Sequence, residues 1–179
     1  MNIYERRIYV KNIVLVGYMG CGKTTVGMNL AKICGYTFVD TDEMIELEQK
    51  ETISNIFATR GEAAFRDMET ALLEKMISEN KQKLVISTGG GMPVKEVNRK
   101  LLNKLGTVVY LKASAETVYN RTKNDTKRPL LQCENPQERI NEMLAVRGPI
   151  YEDVANVVIE VDLLKQSEIA EKIKEGMVE

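Results

Sequence analysis

Short apolar runs alternate with longer amphipathic segments along the chain. The run Ile13-Val14-Leu15-Val16 has no polar position, which is typical of a strand that is buried on both faces. Other segments repeat the helical period, with one apolar stripe. The predicted strands are residues 8–16, 37–39, 84–86, 108–111 and 157–159, and the predicted helices are residues 23–33, 41–50, 52–59, 62–79, 95–104, 114–121, 136–146 and 167–177. This alternation predicts an α/β fold, a five-stranded parallel sheet flanked by helices.

Size and composition limit the possible function classes. The chain has 179 residues, enough for one domain, and its 25 basic and 26 acidic residues nearly cancel, so no global charge favours nucleic acid or an anionic membrane. The chain contains no run of about 20 apolar residues, so no transmembrane helix is predicted. Three separated cysteines (Cys21, Cys34 and Cys133) and the lack of histidine argue for a reducing, cytoplasmic compartment and against zinc or Ser-His chemistry. We expect a monomer, because no exposed apolar stripe is evident.

The sequence after the first buried strand is a phosphate-binding loop. Residues 17–24, GYMGCGKT, fit G-x-x-x-x-G-K-[ST] between a strand and a helix. Glycines allow backbone N–H groups to wrap a phosphate at a helix N-terminus. We expect Lys23 to reach the β- and γ-phosphates of ATP as a catalytic group, and Thr24 to offer its hydroxyl to Mg²⁺. The other predicted nucleotide-binding residues of this segment are Gly17, Gly20, Cys21, Gly22 and Thr25, with the Cys21 side chain turned away from the phosphate.

Two acids end the second predicted strand. Asp40 and Asp42 alternate on an extended segment, so both can point to one site, and strand carboxyl ends are where α/β folds bind ligands. Two neighbouring carboxylates repel each other, so we expect one of them to contact a metal ion and the other to accept a hydrogen bond from a hydroxyl. Alternatively, Asp40 or Thr41 caps the next helix.

Two arginines and a glycine run follow. Arg66 lies near the start of the longest helical pattern, and Arg147 precedes a predicted helix break at Gly148-Pro149. Converging arginine forks would select an anionic acceptor, although each arginine could instead pair with a nearby glutamate (Glu62, Glu69 or Glu152). Gly89, Gly90 and Gly91 would let a substrate approach the backbone, or simply form a flexible turn.

The segment at residues 122–134 is polar, charged and weakly patterned, which predicts a mobile lid. A phosphoryl-transfer site must exclude water, and a basic loop that closes over the phosphates would do so. We expect Arg128 to act on the transferred phosphate and Arg121 to contact the nucleotide. The alternative is an ordinary solvated basic loop.

These motifs together resemble shikimate kinases, over most of the chain. The segments that carry the resemblance are GYMGCGKTT (17–25), FVDTDEMIE (38–46), IFATRGEAAFRDME (56–69), STGGGM (87–92), RTKNDTKRPLL (121–131) and RGPIY (147–151). Their order and spacing are specific, whereas each one beyond the phosphate loop is weak.

The resemblance implies one kinase domain over residues 1–179 with a nucleoside-monophosphate-kinase-like P-loop fold. Acceptor-binding helices would lie at residues 41–79. It implies transfer of the γ-phosphate of ATP to the 3-hydroxyl of shikimate, in chorismate biosynthesis. Asp42 would hold the shikimate hydroxyls and act in catalysis, and Asp40 would approach Mg²⁺. The implied carboxylate-binding and acceptor-loop residues are Arg66, Arg147, Gly89, Gly90 and Gly91, and Arg128 would be the lid arginine.

The chain departs from the family pattern in one place. An arginine that often stacks on adenine after the fifth strand is absent from residues 161–166, where Lys165 is the candidate substitute. Other acceptors remain open on residue grounds alone, namely gluconate or a nucleoside monophosphate, as does a non-catalytic nucleotide-dependent regulator. The intact phosphate loop, acid pair and lid arginine argue against the last.

Overall fold

The computed structural model describes residues 8–9, 11–123 and 135–178. Five parallel strands form its main sheet, in the order β3-β4-β2-β5-β6. These strands are β2 (Ile13–Val16), β3 (Thr37–Asp40), β4 (Leu84–Ser87), β5 (Thr107–Lys112) and β6 (Val157–Glu160). The α/β fold with a five-stranded parallel sheet flanked by helices is therefore confirmed.

Helices cover the sheet because its central strands are apolar on both faces, and β2 and β4 are buried at every position. The helices of the described residues are α1 (Lys23–Cys34), α2 (Thr41–Gln49), α3 (Ile53–Glu79), α4 (Glu96–Leu105), α5 (Ala115–Thr122), α6 (Pro136–Val154) and α7 (Gln166–Glu175). Helix α1 packs against α7, whereas α3 and α6 pack against α4. A short 3₁₀ turn, Met92–Val94, follows the glycine run.

Two predictions at the chain ends were wrong, one of a strand and one of the end of the last helix. The single strand predicted at residues 8–16 is two strands, β1 (Ile8–Tyr9) and β2. Strand β1 pairs with β7 (Met177–Val178), so Met177 does not belong to the last helix. The β1–β7 pair joins distant parts of the chain, which local periodicity cannot reveal.

The predicted helix break at Gly148-Pro149 was also wrong, since α6 continues through Pro149 to Val154. Proline lacks an N–H and normally interrupts a helix. Pro149, however, lies on the exposed side of α6. Tyr151 and Val154 are buried on the other side, and their burial favours continuation of the helix.

The predicted break at Gly61 is confirmed as a kink within α3. Gly61 has φ 82° and ψ 169°, a conformation that glycine adopts readily and other residues rarely do. The kink separates an N-terminal segment that carries Phe57 from a long C-terminal segment that carries Arg66. Both segments thereby face the carboxyl edge of the sheet.

Candidate active site

A cavity of about 580 Å³ lies at the carboxyl ends of β2, β3 and β4. This edge is where α/β sheets bind ligands, because loops that follow parallel strands meet there. The predicted site residues that line the cavity are Gly20, Gly22, Lys23, Thr24, Thr25, Asp40, Asp42, Arg66, Gly89, Gly90, Gly91, Arg121 and Arg147. Residues separated by more than 100 positions in the sequence thus share one space.

The loop between β2 and α1 has the backbone of an anion cradle. Gly17, Gly20 and Gly22 have φ values of 145°, 77° and 101°, which side-chain-bearing residues rarely adopt. Gly22 is the residue before the N-terminus of α1, where unpaired N–H groups and the helix dipole attract anions. The Lys23 ammonium donates to the carbonyls of Gly17 (2.7 Å) and Tyr18 (3.1 Å), so its positive charge lies against the loop.

Three predicted nucleotide-binding residues do not line the cavity. Gly17 is buried at the start of the loop, and Cys21 is buried with its Sγ 3.8 Å from the Lys23 Nζ. Lys165 is exposed at the start of α7. Arg128 lies outside the described residues.

Asp40 caps the next helix, which is one of the alternatives that the sequence left open, and it also lies at the cavity. Its Oδ1 accepts a hydrogen bond from the Asp42 amide (3.0 Å) and so caps α2. Asp40 and Thr24 both line the cavity. A hydroxyl and a carboxylate suit Mg²⁺, which takes few protein ligands and keeps water and phosphate oxygens. The described residues contain no cluster of three or more acidic or sulfur ligands, so a closed protein cage for a metal is not formed there.

The carboxyl group of Asp42 is partly desolvated. Its Oδ1 is buried and has no hydrogen-bond partner among the described residues. Burial raises the pKa of Asp42 to about 6, and the neighbouring Asp40 charge adds to this rise, whereas Lys23 and Arg66 oppose it. A carboxylate in this state is a strong acceptor for a ligand hydroxyl.

Arg66 forms two ion pairs on its own helix, as the glutamate alternative anticipated. Its Nη1 lies 2.7 Å from Glu69 Oε2, and its Nη2 lies 2.9 Å from Glu62 Oε1. Glu69 is fully buried, and burial raises its pKa to about 7 although Arg66 lowers it. Glu69 was not predicted from the sequence as a residue of the site. Its position three residues after Arg66 was the available signal.

The glycine run lies against these charged groups. A Cβ atom on Gly89 would be 2.5 Å from Asp42 Oδ1 and 3.2 Å from Glu69 Oε1. A Cβ atom on Gly91 would be 2.5 Å from the Nη1 of Arg66. The Gly89 amide donates to the Thr41 hydroxyl (3.1 Å), which holds the run against α2. A side chain at Gly89 or Gly91 would displace these charged groups from their present positions.

Arg147 reaches the cavity from α6. Its neighbour Glu152 pairs with Lys112 (2.9 Å), so the glutamate alternative does not describe Arg147 in this respect. The remaining lining residues were not predicted from the sequence: Met19, Ile53, Phe57, Phe65, Glu69, Ser87, Thr88 and Gln166. Phe57 and Phe65 pack with ring centroids 5.0 Å apart and give their part of the cavity an apolar wall.

Arg121 borders the opposite end of the cavity. Its guanidinium donates to the carbonyls of Cys21 (3.2 Å) and Val161 (3.4 Å), which joins the phosphate loop to the loop after β6. In the predicted lid, Thr122 is buried in the last turn of α5, and residues 124–134 lie outside the described residues. Within the described part of the chain, no helix combines the length and apolar character needed to cross a membrane.

Comparisons with known proteins agree on one family. The sequence model of the family described as shikimate kinase matches residues 19–178. A shikimate kinase of Thermodesulfovibrio yellowstonii is 48% identical over 164 residues, which cover 92% of this chain and 93% of the relative.

Solved structures extend the agreement to the fold. A shikimate kinase from Acinetobacter baumannii in complex with shikimate has a TM-score of 0.86 and 42% identity, covering 93% of this chain and 92% of that one. The enzyme from Bacteroides thetaiotaomicron has a TM-score of 0.80 and 32% identity, covering 92% and 95%. With a family match over most of its length and relatives well above 30% identity, this chain belongs to the shikimate kinase family.

Proposed function

We propose that this chain transfers the γ-phosphate of ATP to the 3-hydroxyl of shikimate, giving shikimate 3-phosphate and ADP. This is the shikimate kinase reaction of chorismate biosynthesis, and membership of the family supports it. One observation carries the site assignment. A phosphate cradle, a partly desolvated aspartate and two arginines line a single cavity.

The donor end of the cavity binds ATP. Backbone N–H groups of the phosphate loop and the N-terminus of α1 hold the phosphates, and the Lys23 ammonium leaves its loop carbonyls to contact the β- and γ-phosphates. Arg121, at the junction of the two loops, lies beside the nucleotide. Thr24 and Asp40 are the residues that would hold Mg²⁺, which supplies neutralising charge to the phosphates when bound.

The acceptor end binds shikimate. Arg66 and Arg147 each present a planar fork that matches a carboxylate, so together they hold the substrate by its acid group. The apolar wall of Phe57 and Phe65 suits a carbocyclic ring. Asp42 accepts hydrogen bonds from the ring hydroxyls at the other end of the molecule.

Transfer then follows from positioning and electrostatics. The 3-hydroxyl oxygen bonds to the γ-phosphorus, and the bond from that phosphorus to the ADP oxygen breaks. Asp42 orients the attacking hydroxyl and accepts its proton, while Lys23 stabilises the charge on the transferred group. Arg128 in the predicted lid, which would add positive charge to the phosphates and exclude water, remains a prediction.

The proposal also covers the oligomeric state and the cellular location of the enzyme. The enzyme acts as a monomer, and it works in the cytoplasm, consistent with free cysteines at Cys21 and Cys34. Light scattering of the purified chain tests the oligomeric state. A mass near 20.2 kDa supports the monomer, and a mass near twice that value would show a dimer. Fractionation of cells that express the chain with its natural ends tests the cellular location.

The decisive experiment is ADP release from purified protein with ATP and Mg²⁺. Shikimate, gluconate, a nucleoside monophosphate and no acceptor are assayed in parallel. Stimulation by shikimate alone supports the proposal. Stimulation by a different acceptor would retain a phosphate-loop kinase and discard Arg66, Arg147 and Asp42 as shikimate ligands.

A further inference from the structure

Two carbonyl groups of the glycine loop, defined here as Gly89–Met92, accept hydrogen bonds from buried side chains. The Tyr151 hydroxyl donates to the Gly90 carbonyl (2.5 Å), and the Asn98 amide donates to the Met92 carbonyl (3.0 Å). Both side chains are fully buried. A buried polar group destabilises the fold unless it is hydrogen-bonded, so these two side chains make specific connections to the loop.

The Asn98 connection continues to helix α3. The Thr70 hydroxyl lies 2.8 Å from Asn98 Oδ1 and 3.0 Å from the Arg66 carbonyl. Arg66 is four residues before Thr70, and its guanidinium packs directly on Gly91. The path from Arg66 through Thr70 and Asn98 to Met92 therefore returns to the loop that the Arg66 side chain touches.

The Tyr151 connection has the same form on helix α6. Arg147 is four residues before Tyr151 on the same helix. Burial has the larger effect on the pKa of the Tyr151 hydroxyl and raises it, whereas the nearby Arg147 side chain lowers it. The Tyr151 ring packs against Tyr110 with centroids 5.1 Å apart, which restricts its orientation. Burial raises the pKa of Tyr151 well above its ordinary value, so the hydroxyl keeps its proton and remains a donor at neutral pH.

Each arginine thus lies one helical turn before a hydroxyl that connects its helix to the glycine loop. The buried Tyr151 hydroxyl does so directly, and the half-buried Thr70 hydroxyl does so through Asn98. Side chains four residues apart share a helix face, so a bond that fixes the hydroxyl relative to the loop also fixes the helix face that carries the arginine. Two arginines can grip one small carboxylate only if their separation is held to a fraction of an ångström.

We propose that Thr70, with Asn98, and Tyr151 are positioning residues that hold Arg66 and Arg147 in register with the glycine loop for binding the acceptor carboxylate. This inference rests on the proposed roles of the two arginines. It concerns side chains that do not line the cavity and that a local reading would assign to the core.

The test uses two conservative variants, Thr70→Val and Tyr151→Phe, which keep side-chain volume and remove one hydroxyl each. We expect each to raise KM for shikimate about 5- to 30-fold and to leave KM for ATP within about twofold. Thr70→Ser restores the hydroxyl and should return KM for shikimate to near the wild-type value. Methyl shikimate, which lacks the anionic carboxylate, should show no such penalty in either variant.

Thr59→Val is the matched control on the same helix. Its hydroxyl bonds the Asn55 carbonyl one turn earlier (2.8 Å) and is exposed, so the change removes the same group without a loop connection. This variant should behave as wild type. Equal increases in KM for shikimate and ATP, or unchanged KM for shikimate in both Thr70→Val and Tyr151→Phe, would overturn the inference.

Arg66→Lys tests whether the arginine binds the acceptor carboxylate, separately from whether the hydroxyl groups position it. If this variant raises KM for shikimate while the hydroxyl variants do not, the positioning role fails and the arginine assignment stands. If Arg66→Lys also leaves KM for shikimate unchanged, the assignment itself fails and removes the inference with it. Thermal unfolding of each variant ensures that kinetics are compared well below its melting temperature.

Discussion

The two ends of the active-site cavity are built in different ways. The donor end comes largely from one contiguous segment, the phosphate loop. Three glycines of positive φ shape its backbone, and Lys23, directly after the third glycine, supplies its ammonium group. The acceptor end brings together α2, α3, the glycine loop and α6, and it contains buried charges. Phosphate binding can therefore be encoded by local spacing, whereas recognition of a particular acceptor depends on long-range packing.

The largest effect should come from breaking the donor end. Lys23→Ala removes the ammonium that would stabilise the transferred phosphate, so kcat should fall about 1000-fold with any acceptor that the enzyme uses. Lys32→Ala, an exposed lysine on the same helix, is the control and should keep wild-type kcat. Steady-state ADP release measures both. A Lys23→Ala enzyme within tenfold of wild type would contradict the donor assignment.

A smaller and more selective effect should follow at the acceptor end. Arg66→Lys keeps one positive charge but loses the planar fork, so kcat/KM for shikimate should fall about 100-fold, or about 2.7 kcal/mol. KM for ATP should change little, because Arg66 faces the glycine loop.

Arg60→Lys is the matched control for this variant. Arg60 lies on the same helix and pairs with Glu51 (2.6 Å), but it does not line the cavity. It should show wild-type kinetics. Parallel losses for shikimate and ATP in Arg66→Lys would assign Arg66 to the fold of α3 and not to the acceptor.

The pH dependence of the acceptor end should report Asp42. Its pKa is raised to about 6, chiefly by burial, and the carboxylate must be ionised to accept a hydroxyl proton. Accordingly, kcat/KM for shikimate should fall about tenfold per pH unit below pH 6, while nucleotide binding measured over the same range sets the baseline. A flat profile down to pH 5 would contradict the role of Asp42.

The raised pKa of Asp42 also predicts how the free energy of unfolding depends on pH. The ionised form that catalysis needs is the form that destabilises the fold. Because the folded-state pKa lies above the ordinary value of 3.8, the stabilisation from a protonated Asp42 is present below pH 3.8 and is lost as pH rises through 6. Asp42→Asn should thus raise the free energy of unfolding by about 1–3 kcal/mol at pH 8, with a smaller gain at pH 4. Urea unfolding at both pH values measures it. An equal gain at both would indicate a cause other than the buried charge.

The smallest expected effect concerns the kink that shapes the acceptor end. Gly61→Ala meets no atom within 4 Å but must adopt a φ of 82°, so it should lower the free energy of unfolding by about 1–2 kcal/mol. Gly148→Ala adds the same methyl group in open space within α6 and should instead stabilise by about 0.5–1 kcal/mol. Equal effects in urea unfolding would show that backbone conformation is not the cause.

Local pattern predicted some features of the fold well and others wrongly. The apolar runs and Gly61 act over a few residues, so the sheet strands and the break in α3 could be found. Pro149 was assigned to a break because proline disfavours a helix interior, but burial of Tyr151 and Val154 outweighs that preference. Strand β1 pairs with residues 169 positions further along the chain, in the register Ile8–Met177, and local periodicity carries no information on such a distant partner.

The sequence by itself determined the phosphate loop, because its spacing is satisfied within one short segment. It also determined the α/β architecture and the family, because the order of apolar runs and motifs along the chain can be read without knowing how they pack. Only the tertiary structure decided that Glu69 is buried beside Asp42 and Arg66, and that Thr70, Asn98 and Tyr151 converge on the glycine loop. A buried polar residue is not distinguishable from an exposed one by its type. Its surroundings are set by how the helices pack on the carboxyl edge of the sheet, and this packing determines which polar groups must bond each other.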